Sequence, residues 1–444
     1  MDDQVKNLKI CIAGAGMGGL SSALALARAG FQNIEVYELA SDLGFVGAGI
    51  QLAPNLARIL DRFGVWDPIE QESTGIKETS IRDGATDNEL AHVMMPDIRQ
   101  IYGFPHGTGH RYSLATGLYE GCKKYNAIKF IFRTGISSVE SWSPKPVFTV
   151  TPRDGEPYTI EADILLGADG IKSATRTSML AHLKVDAEIV ETGQAAYRIV
   201  LDRKDMEHDP ELLELINSDG VTRWIGEKRH IIAYPIQSKT IYNLSTVQPD
   251  NNFAEAPSIT YTTKGSKEVM LKVFEDFCPK VQKMLNLVPE GEVCEWRLRV
   301  YAPLPTWVCG SVALVGDSCH ATLPHLNQGA AQAIEDSAVL GVVLGRLPDV
   351  RPESINKALQ IYESVRKERA ETLVAIAAAS GRALHLGSGA AKEERDKQFA
   401  ALKAAGGKGP VPDKWADPEV QKEIYGHDCT KEAETAFQEQ FNKL

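Results

Sequence analysis

The segment KICIAGAGMGGL, which runs from Lys9 to Leu20, decides the fold of this chain. Its first five residues form a short apolar run that is typical of a buried β-strand. Glycines follow at positions Gly14, Gly16 and Gly19, in the spacing GxGxxG. In this motif the first glycine permits a tight turn, the second lets the backbone approach a pyrophosphate, and the third lets a helix pack closely on the strand. The segment therefore predicts a strand, a phosphate-binding turn and a helix whose N-terminus faces the phosphates.

The residues after this turn complete the opening of a doubly wound sheet. A second strand-like run extends from Ile34 to Glu38, and Glu38 lies near the spacing of about 20 residues at which an acid binds ribose hydroxyls. We therefore predict that Gly14, Gly16, Gly19 and Glu38 bind a dinucleotide. The alternatives are an ordinary tight turn and an exposed carboxylate at a strand end, and the motif alone does not separate FAD from NAD.

The composition excludes several classes of protein. A chain of 444 residues is long enough for about two or three domains, and 43% hydrophobic and 24% charged residues are ordinary for a globular protein. A net charge of -11 provides no overall basic field, so neither nucleic acid nor a membrane surface is expected as a partner. Seven cysteines occur without a CxxC pair or a zinc-like spacing, which favours free thiols in a reducing compartment and no metal site.

The ends of the chain bear on its location. The acidic N-terminus leads directly into a strand-like segment, so no signal peptide is expected, and no apolar run is long enough to span a bilayer. A cytoplasmic location is therefore expected. The last residues, Asn442-Lys443-Leu444, resemble the peroxisomal Ser-Lys-Leu signal, so a peroxisomal location is the alternative.

Two downstream motifs separate FAD from NAD. The first is GADGIKSATR at residues 167–176, and the second is GDSCH at 316–320, followed by PHLNQGA at 324–330. With these motifs the sequence resembles the single-component FAD-dependent aromatic hydroxylases of the 4-hydroxybenzoate and salicylate hydroxylase type, over about residues 9–369. The residues after Ser380 are similar to the C-terminal part of fungal salicylate-hydroxylase-like proteins.

The resemblance and the strand pattern together predict an α/β fold. Between Thr192 and Val247, short β-branched and aromatic runs are typical of a separate, mostly antiparallel sheet. We therefore expect a Rossmann-like FAD-binding domain with an inserted β-sheet substrate domain and a C-terminal helical region. The predicted divisions are 1–180 (FAD-binding domain, first part), 181–294 (substrate domain, with contributions from about 73–108), 295–370 (FAD-binding domain, second part) and 371–444 (helical tail).

The resemblance also implies cofactor contacts beyond the glycine turn. Asp317 corresponds to the residue that binds the ribitol of FAD. Gly329 and Ala330 lie in the loop and helix start that approach the pyrimidine end of the flavin, where a helix N-terminus favours the negative charge of the reduced ring. Gly49 lies where the family's backbone passes the flavin, and Arg111 lies where an arginine contacts the cofactor.

Two of these motif residues have alternative interpretations. In the family, the first downstream motif, which contains Asp169, lies near the FAD pyrophosphate and is linked to nicotinamide binding. The alternative for Asp169 is a purely structural role, in which it turns the chain before a helix that is capped by Ser173. Arg111 can be a solvated charge, although a positive charge is slightly unfavourable at a helix start, which favours a ligand role.

The reaction of the family defines what the substrate site needs. NADH or NADPH reduces FAD, and the reduced flavin takes up oxygen to form a C4a-hydroperoxide that attacks an electron-rich ring carbon of a phenol. The site then needs a base or proton relay, a cation to hold the anion, and exclusion of water. No second GxGxxG motif occurs, so a separate nicotinamide domain is not expected.

Three residues are candidates for this chemistry. Arg198 lies mid-strand, and alternation places it on the face shared by Ala196 and Val200, where a charge needs a partner. That partner is either an anionic substrate, held by the guanidinium fork, or an internal carboxylate. Tyr234 lies in a Tyr-Pro context similar to that of fungal phenol hydroxylases and is either a relay or a packed aromatic residue. His325, where the sequence departs from many relatives, is a candidate to orient a carboxylate or to act as base.

The sequence leaves the substrate and some of the chemistry open. Three kinds of substrate suit the same residues: salicylate, another hydroxybenzoate, and a polyketide-derived phenol that would undergo ring or dearomatising hydroxylation. A small phenolic aromatic acid is the first expectation. A flavin-dependent reductase or oxidase without oxygen transfer, and a non-catalytic nucleotide-binding regulator, are the alternatives from other classes. Relatives of this type are often dimers, so a homodimer is expected, with no surface assigned.

Overall fold

The structure is a computed structural model that describes residues 2–43, 48–186, 189–253, 262–407 and 411–444. Within these residues, the strand Lys9–Ala13 lies inside a sheet that is parallel except at one edge. The strands of this sheet, in spatial order, are Val308–Cys309, Val312–Leu314, Ile164–Gly167, Lys9–Ala13, Asn33–Glu38 and Ile128–Phe132. The predicted strand, turn, helix and strand therefore form the centre of a doubly wound sheet.

Small residues let two helices of this domain pack closely against each other. Helix Met17–Ala29 begins at the glycine turn, and helix Gly329–Leu344 lies along it. The hydroxyl of Ser337 lies 2.7 Å from that of Ser21 and 2.9 Å from that of Ser22. Because these hydroxyls bind one another, the helices approach without leaving buried polar groups unpaired.

A large antiparallel sheet forms the second part of the fold. In the described residues its strands, in spatial order, are Thr262–Lys264, Cys294–Tyr301, Ile189–Asp202, Ile241–Pro249, Arg229–Ile236, Gly220–Gly226, Glu78–Asp83 and Glu89–Met94. Residues from 73–108 thus supply two of these strands, of which Glu78–Asp83 pairs in parallel with Gly220–Gly226. The sheet continues past position 294, the predicted end of the substrate domain, because Cys294–Tyr301 pairs along Ile189–Asp202.

Smaller sheets and helices connect these layers. One small sheet consists of Gly49–Leu52, Gly107–His110 and Thr74–Gly75, and another of Thr134–Ser141, Val147–Pro152 and Tyr158–Glu161. The remaining α-helices of the described residues are Asp3–Lys6, Pro54–Arg62, Trp66–Glu72, Ile98–Tyr102, Arg111–Lys123, Ala174–Leu183, Arg203–Met206, Pro210–Asn217, Lys267–Val273, Pro279–Asn286, Asp317–His320, Pro352–Leu384, Ala390–Ala404, Pro418–Tyr425 and Cys429–Gln440. Short 3-10 helices span Gly170–Lys172, Asn251–Phe253, Pro324–Leu326 and Lys414–Ala416.

The C-terminal region is packed on the antiparallel sheet and is not a separate tail. Helix Pro352–Leu384 runs through the predicted boundary at 370 without a break. Beyond it, Trp415 and Tyr425 are buried in the same apolar cluster as Ile81 and Val93 of the sheet. Burial of these side chains makes the region part of the wall of the substrate domain.

The predicted fold class is confirmed: a Rossmann-like domain carries an inserted, mostly antiparallel sheet and is followed by a helical region. Segments that follow strands of the parallel sheet and one face of the antiparallel sheet both line the cavity described below, which places the site between the two layers. None of the described helices combines the length and the apolar character that a bilayer span requires.

Candidate active site

The glycines of the predicted turn have different structural roles. Gly14 has a φ of +90°, and a Cβ atom there would lie 2.6 Å from the carbonyl oxygen of Ala168. A Cβ atom on Gly19 would overlap the carbonyl oxygen of Gly14, whereas one on Gly16 would meet no neighbouring atom within 4 Å. Gly14 and Gly19 are therefore required for the turn and for close packing. Gly16 leaves open space at the start of helix Met17–Ala29, which has no side-chain cap.

Glu38 lies at the end of the second strand, beside the turn. Its Oε2 atom accepts a hydrogen bond from the backbone N–H of Ala15 at 2.7 Å, and its Oε1 atom accepts one from Ala40 at 2.8 Å. The carboxylate is half-buried and is not among the groups that line the cavity. Its observed role is to hold the glycine turn against the strand, and ribose binding by Glu38 stays a prediction.

Asp169 and Arg176 join the first downstream motif to the second. Asp169 accepts hydrogen bonds from the hydroxyl of Ser173 at 2.5 Å and from the backbone N–H of Thr175 at 3.0 Å. It therefore stabilises the helix start, as in the structural interpretation of its sequence. Arg176 donates a hydrogen bond to the carbonyl oxygen of Ser318 at 3.0 Å, which fixes the two motifs next to each other.

The second downstream motif presents a carboxylate and a helix start to the cavity. Gly316 turns the chain with a φ of +65°, and the side chain of Asp317 is exposed at the cavity. Gly329 and Ala330 begin the next helix and line the same cavity. The N-cap residue, Gln328, makes no side-chain capping hydrogen bond, so backbone N–H groups of the first turn are available to a ligand.

A buried ionic network, which no sequence pattern indicated, holds this helix start in place. Glu335 pairs with Arg366 at 2.6 Å and with Arg369 at 2.8 Å. Asp336 pairs with Arg366 at 2.9 Å and with His320 at 2.6 Å. Burial opposes ionisation of both carboxylates, but the neighbouring cations outweigh it and hold the pKa of Glu335 and that of Asp336 below their usual values. Both carboxylates are therefore charged at neutral pH.

The same network has a structural role, and its ion pairs occupy atoms that could also bind a metal ion. Cys319, His320 and Asp336 bring potential ligand atoms within 4.8 Å of one another. However, Asp336 already binds Arg366 and accepts a hydrogen bond from the backbone N–H of Gly316 at 2.9 Å. Burial raises the pKa of the Cys319 thiol well above its usual value, which disfavours the thiolate that would bind a metal ion.

A cavity of about 330 Å³ lies between these motifs and the antiparallel sheet. One wall is formed by the glycine turn and the second downstream motif, and the other by one face of the sheet. The predicted site residues that line it are Gly16, Gly49, Arg111, Arg198, Tyr234, Asp317, His325, Gly329 and Ala330. Gly14, Gly19 and Glu38 lie behind this surface and support the turn.

Strand register places polar side chains of the substrate domain on one face of the sheet. Arg198 lies opposite Ser245, and Ser245 lies opposite Ile232 on its other side. Ile232 in turn lies opposite Arg223, and all four residues line the cavity. The strand neighbours of Arg198 point into the apolar cluster on the opposite face. The alternation predicted for Arg198 is therefore confirmed.

Arg198 lines the cavity as a cation that has no ion-pair partner in the described part of the chain. Its guanidinium carbon lies 5.0 Å from the centre of the Trp296 ring, and within the described part of the chain no ion pair joins it to a carboxylate. Burial lowers the pKa of Arg198, and the positive charge of Arg111 lowers it further. The internal salt bridge left open by the sequence is not formed among these residues, so the guanidinium is available to an anionic ligand.

Tyr234 and Gly49 meet where the two walls of the cavity join. A Cβ atom on Gly49 would lie 2.8 Å from the Tyr234 ring, so only glycine fits there. The backbone N–H of Gly49 donates to the Oδ1 atom of Asn243 at 2.6 Å. Burial raises the pKa of the Tyr234 hydroxyl well above its usual value, although the charge of Arg198 acts in the other direction. Tyr234 therefore presents a neutral hydroxyl close to the cationic Arg198.

Arg111 begins the helix Arg111–Lys123 and lines the cavity. Its backbone N–H donates to the carbonyl oxygen of Ala48 at 2.9 Å, which fixes the strand that carries Gly49. A positive charge at a helix start is unfavourable unless an anion lies nearby. The position therefore favours contact with a phosphate-bearing ligand.

Amide groups that the sequence did not single out supply unpartnered hydrogen-bond donors. The Nδ2 atoms of Asn243 and Asn327 and the Nε2 atom of Gln51 are buried without a partner among the described residues, and all three residues line the cavity. An unsatisfied buried donor costs about 1–3 kcal/mol, so each is expected to meet an acceptor. The carbonyl oxygens and ring nitrogens of a flavin are such acceptors, so the residues present fit FAD.

His325 is buried beside the cavity, and both of its ring nitrogens lack a partner in the described residues. Its ring centre lies 5.5 Å from that of His230 and 5.6 Å from that of His385. Burial lowers the pKa of His325 to about 3, so the ring is neutral at physiological pH. A Cβ atom on Gly381 would overlap this ring, which shows how closely the long helix approaches the cavity.

Comparisons with known proteins agree with this geometry. The family described as FAD binding domain matches residues 7–377. The FAD-dependent monooxygenase atnJ of Arthrinium sp is 31% identical over 399 residues, which cover 90% of each chain. The 3-hydroxybenzoate 6-hydroxylase 1 of Aquipseudomonas alcaligenes is 35% identical over 367 residues, which cover 82% of this chain and 86% of that protein.

A solved structure supports the fold. The substrate complex of a salicylate hydroxylase superposes with a TM-score of 0.76 at 22% identity, and the match covers 97% of this chain and 98% of the other. The resemblance inferred from the three glycine- and aspartate-containing motifs is confirmed, and so is FAD as the cofactor. The chain belongs to the FAD binding domain family and is an FAD-dependent monooxygenase of the aromatic hydroxylase type.

Proposed function

We propose that this enzyme hydroxylates a small phenolic aromatic acid, such as salicylate or another hydroxybenzoate, with NADH or NADPH and dioxygen as co-substrates. The observation that carries the proposal is Arg198, a cation without an ion-pair partner among the described residues, on the cavity wall that faces the FAD motifs. FAD, when bound, supplies the redox and oxygen-transfer chemistry. The name of the Aquipseudomonas relative, a 3-hydroxybenzoate 6-hydroxylase, supports the choice of substrate class.

The polar groups of the cavity suit an aromatic acid. A carboxylate or phenolate next to Arg198 would satisfy its guanidinium with paired hydrogen bonds. The neutral hydroxyl of Tyr234 can donate a hydrogen bond to a substrate oxygen, and the unpartnered nitrogens of His325 can bind a second one. Two anchoring points of this kind orient a ring so that one carbon faces the flavin.

Apolar groups supply the surface for the ring itself. The side chains of Ile232 and Val247 lie on the same face of the sheet as Arg198 and line the cavity. They contact a ring without competing for its polar substituents, and they keep water from the reacting atoms. The resemblance also supports delivery of hydride at the same flavin, without a separate nicotinamide domain.

Turnover of defined phenols by the FAD-reconstituted chain tests this proposal. Salicylate, 3-hydroxybenzoate and 4-hydroxybenzoate are each supplied with NADH or NADPH, and cofactor oxidation, hydrogen peroxide and product are measured together. Label from isotopic dioxygen in the product supports hydroxylation, whereas an unlabelled product indicates a reductase or oxidase. Peroxide without product identifies the phenol as an effector and contradicts the proposal for that compound. Light scattering on the same preparation decides between a monomer and the expected homodimer.

A further inference from the structure

We propose that His385, in the C-terminal region, carries a proton out of the substrate cavity by receiving it from His230. The inference rests on the proposed function, because ionisation of a bound phenol supplies the proton. His230 belongs to the strand Arg229–Ile236 and lines the cavity. His385 is the C-cap residue of helix Pro352–Leu384, so the pair joins the substrate sheet to the C-terminal region.

The two rings are hydrogen bonded to each other. The Nδ1 atom of His230 lies 2.6 Å from the Nε2 atom of His385, and the ring centres are 4.9 Å apart. Such a contact requires a proton on one nitrogen and a lone pair on the other. Burial lowers the pKa of His230 well below its usual value and lowers that of His385 to about 4, so both rings are neutral at physiological pH.

A neutral pair of this kind can conduct a proton without holding a charge. When the phenolic O–H bond breaks, the oxygen keeps the electron pair and the proton binds the Nε2 atom of His230. The Nδ1 proton of His230 then moves to the Nε2 atom of His385, and the Nδ1 proton of His385 passes to water. The net change is the conversion of a phenol to a phenolate and the release of a proton to solvent, with both rings neutral again as the opposite tautomers.

The pair extends from the cavity toward the surface. His230 is 3% exposed, whereas His385 is partly exposed at the end of its helix. His230 is two strands and two residues away from Arg198 in the sheet register, which places their α-carbons about 12 Å apart. The proposed aromatic acid lies between these two side chains. The substrate carboxylate is then held by Arg198, and its phenol faces His230.

An ion pair and a helix-end hydrogen bond keep the surroundings of the two histidines in position. Arg223 forms a buried ion pair with Asp413, and the charge of this arginine contributes to the lowered pKa of His385. Arg395 donates a hydrogen bond to the carbonyl oxygen of Leu384 at 3.2 Å, which fixes the end of the helix. The charged and titratable side chains around the pair include His325, Arg223, Asp413, Arg395, Asp396, Glu227 and Lys228. Glu227 lies next to Gly387, and the backbone N–H of Lys228 donates to the carbonyl oxygen of His385 at 3.0 Å.

The test uses the FAD-loaded full chain and the variant His385→Gln, which keeps a polar group but cannot pass a proton. Its control is His427→Gln, the same substitution at a half-buried histidine of the C-terminal region whose Nε2 atom lies 3.4 Å from Glu432, outside the cavity. Proton release on rapid mixing with 3-hydroxybenzoate is followed with a pH indicator attached to dextran, which cannot enter the cavity. We expect release to be at least about tenfold slower in His385→Gln and unchanged in His427→Gln.

The pH profile separates proton transfer from a structural effect. The deficit of His385→Gln should shrink as the pH rises toward about 10, because the phenol then ionises in water before it binds. A purely structural defect would persist across this range. The variant His385→Ala leaves room for a small base in place of the lost ring, so added imidazole should restore the rate of proton release. If imidazole does not restore the rate, the proposal is overturned. This test also decides the proposal in the case that His385→Gln loses FAD.

The outcomes distinguish this inference from the proposed function. If the wild-type enzyme hydroxylates 3-hydroxybenzoate while His385→Gln releases the proton at the wild-type rate, the relay is wrong and the proposed function stands. If the wild-type enzyme binds and hydroxylates none of the phenols, both are wrong. Slow release that imidazole restores supports both.

Discussion

Replacing Arg198 with methionine tests the central feature of the proposed substrate site. Methionine preserves much of the side-chain volume and its contact with Trp296, but it removes the charge and the hydrogen-bond donors. A hydrogen bond to a charged group contributes about 1.5–3 kcal/mol, and truncation of one partner of a buried charged pair costs about 2–5 kcal/mol. Because Arg198 is half-buried, we expect a loss of about 2–3 kcal/mol, which corresponds to a rise of about 30- to 150-fold in KM.

Steady-state kinetics with the best hydroxybenzoate from the screen measures this effect, with kcat, KM and FAD content determined together. The control is Arg203→Met, the same substitution just after the same strand, where the guanidinium binds Asn217 and the carbonyl oxygen of Lys239 away from the cavity. FAD content should be similar in both variants, because the FAD motifs lie on the opposite wall. If KM of Arg198→Met stays within about threefold of that of Arg203→Met, Arg198 does not bind the substrate anion and the reasoning is refuted.

The remaining predictions concern the cofactor and the buried network. Gly14→Ala should abolish FAD binding, because the φ of +90° at this position is strained for alanine and the new Cβ atom would lie 2.6 Å from the carbonyl oxygen of Ala168. Normal flavin absorbance in the purified variant would contradict this prediction. Arg366→Met should lower the free energy of unfolding at pH 7 by about 3–5 kcal/mol, because Glu335 and Asp336 lose a buried cation. Urea titrations measure this change, and a value below about 1 kcal/mol would show that the network contributes little to stability. The folded-state pKa values of these carboxylates lie below their unfolded values, so their contribution to stability is fully present above about pH 4 and is lost as the pH falls further. The destabilisation caused by Arg366→Met should therefore shrink as the pH is lowered from about 4 to about 2, and a constant difference over that range would argue against ionised carboxylates.

Local patterns predicted the nucleotide-binding half of the molecule well. The spacing of Gly14, Gly16 and Gly19 is recognisable because a left-handed φ and close backbone contacts admit glycine and few other residues. The family resemblance singled out Asp317 and Gly329, because short motifs place them at fixed positions relative to a strand end and a helix start, and both residues line the cavity. For these residues the conformation of a few neighbouring peptide units determines the role, so the sequence carries the information directly.

Other features of the site were visible only in part. Alternation correctly predicted which face of its strand carries Arg198, but the choice between an internal ion pair and a free cation depended on carboxylates elsewhere in the chain. For Glu38 the structure adds backbone partners, the N–H groups of Ala15 and Ala40, and the predicted contact with ribose stays a prediction. The extension of the substrate sheet to Tyr301 followed from strand pairing, which a pattern of single residues does not reveal.

The sequence by itself determined the doubly wound fold, the FAD family and the positions of the glycine and aspartate motifs, because these depend on interactions between residues close together in the chain. The tertiary structure alone decided which side chains meet at the wall of the cavity. Examples are the hydrogen bonds of Asn243 with Gly49 and of His230 with His385. These partners are far apart in the chain, and their contact depends on sheet register and helix packing. The chemistry of the cavity is therefore a property of long-range packing, whereas its cofactor was already recognisable from local sequence.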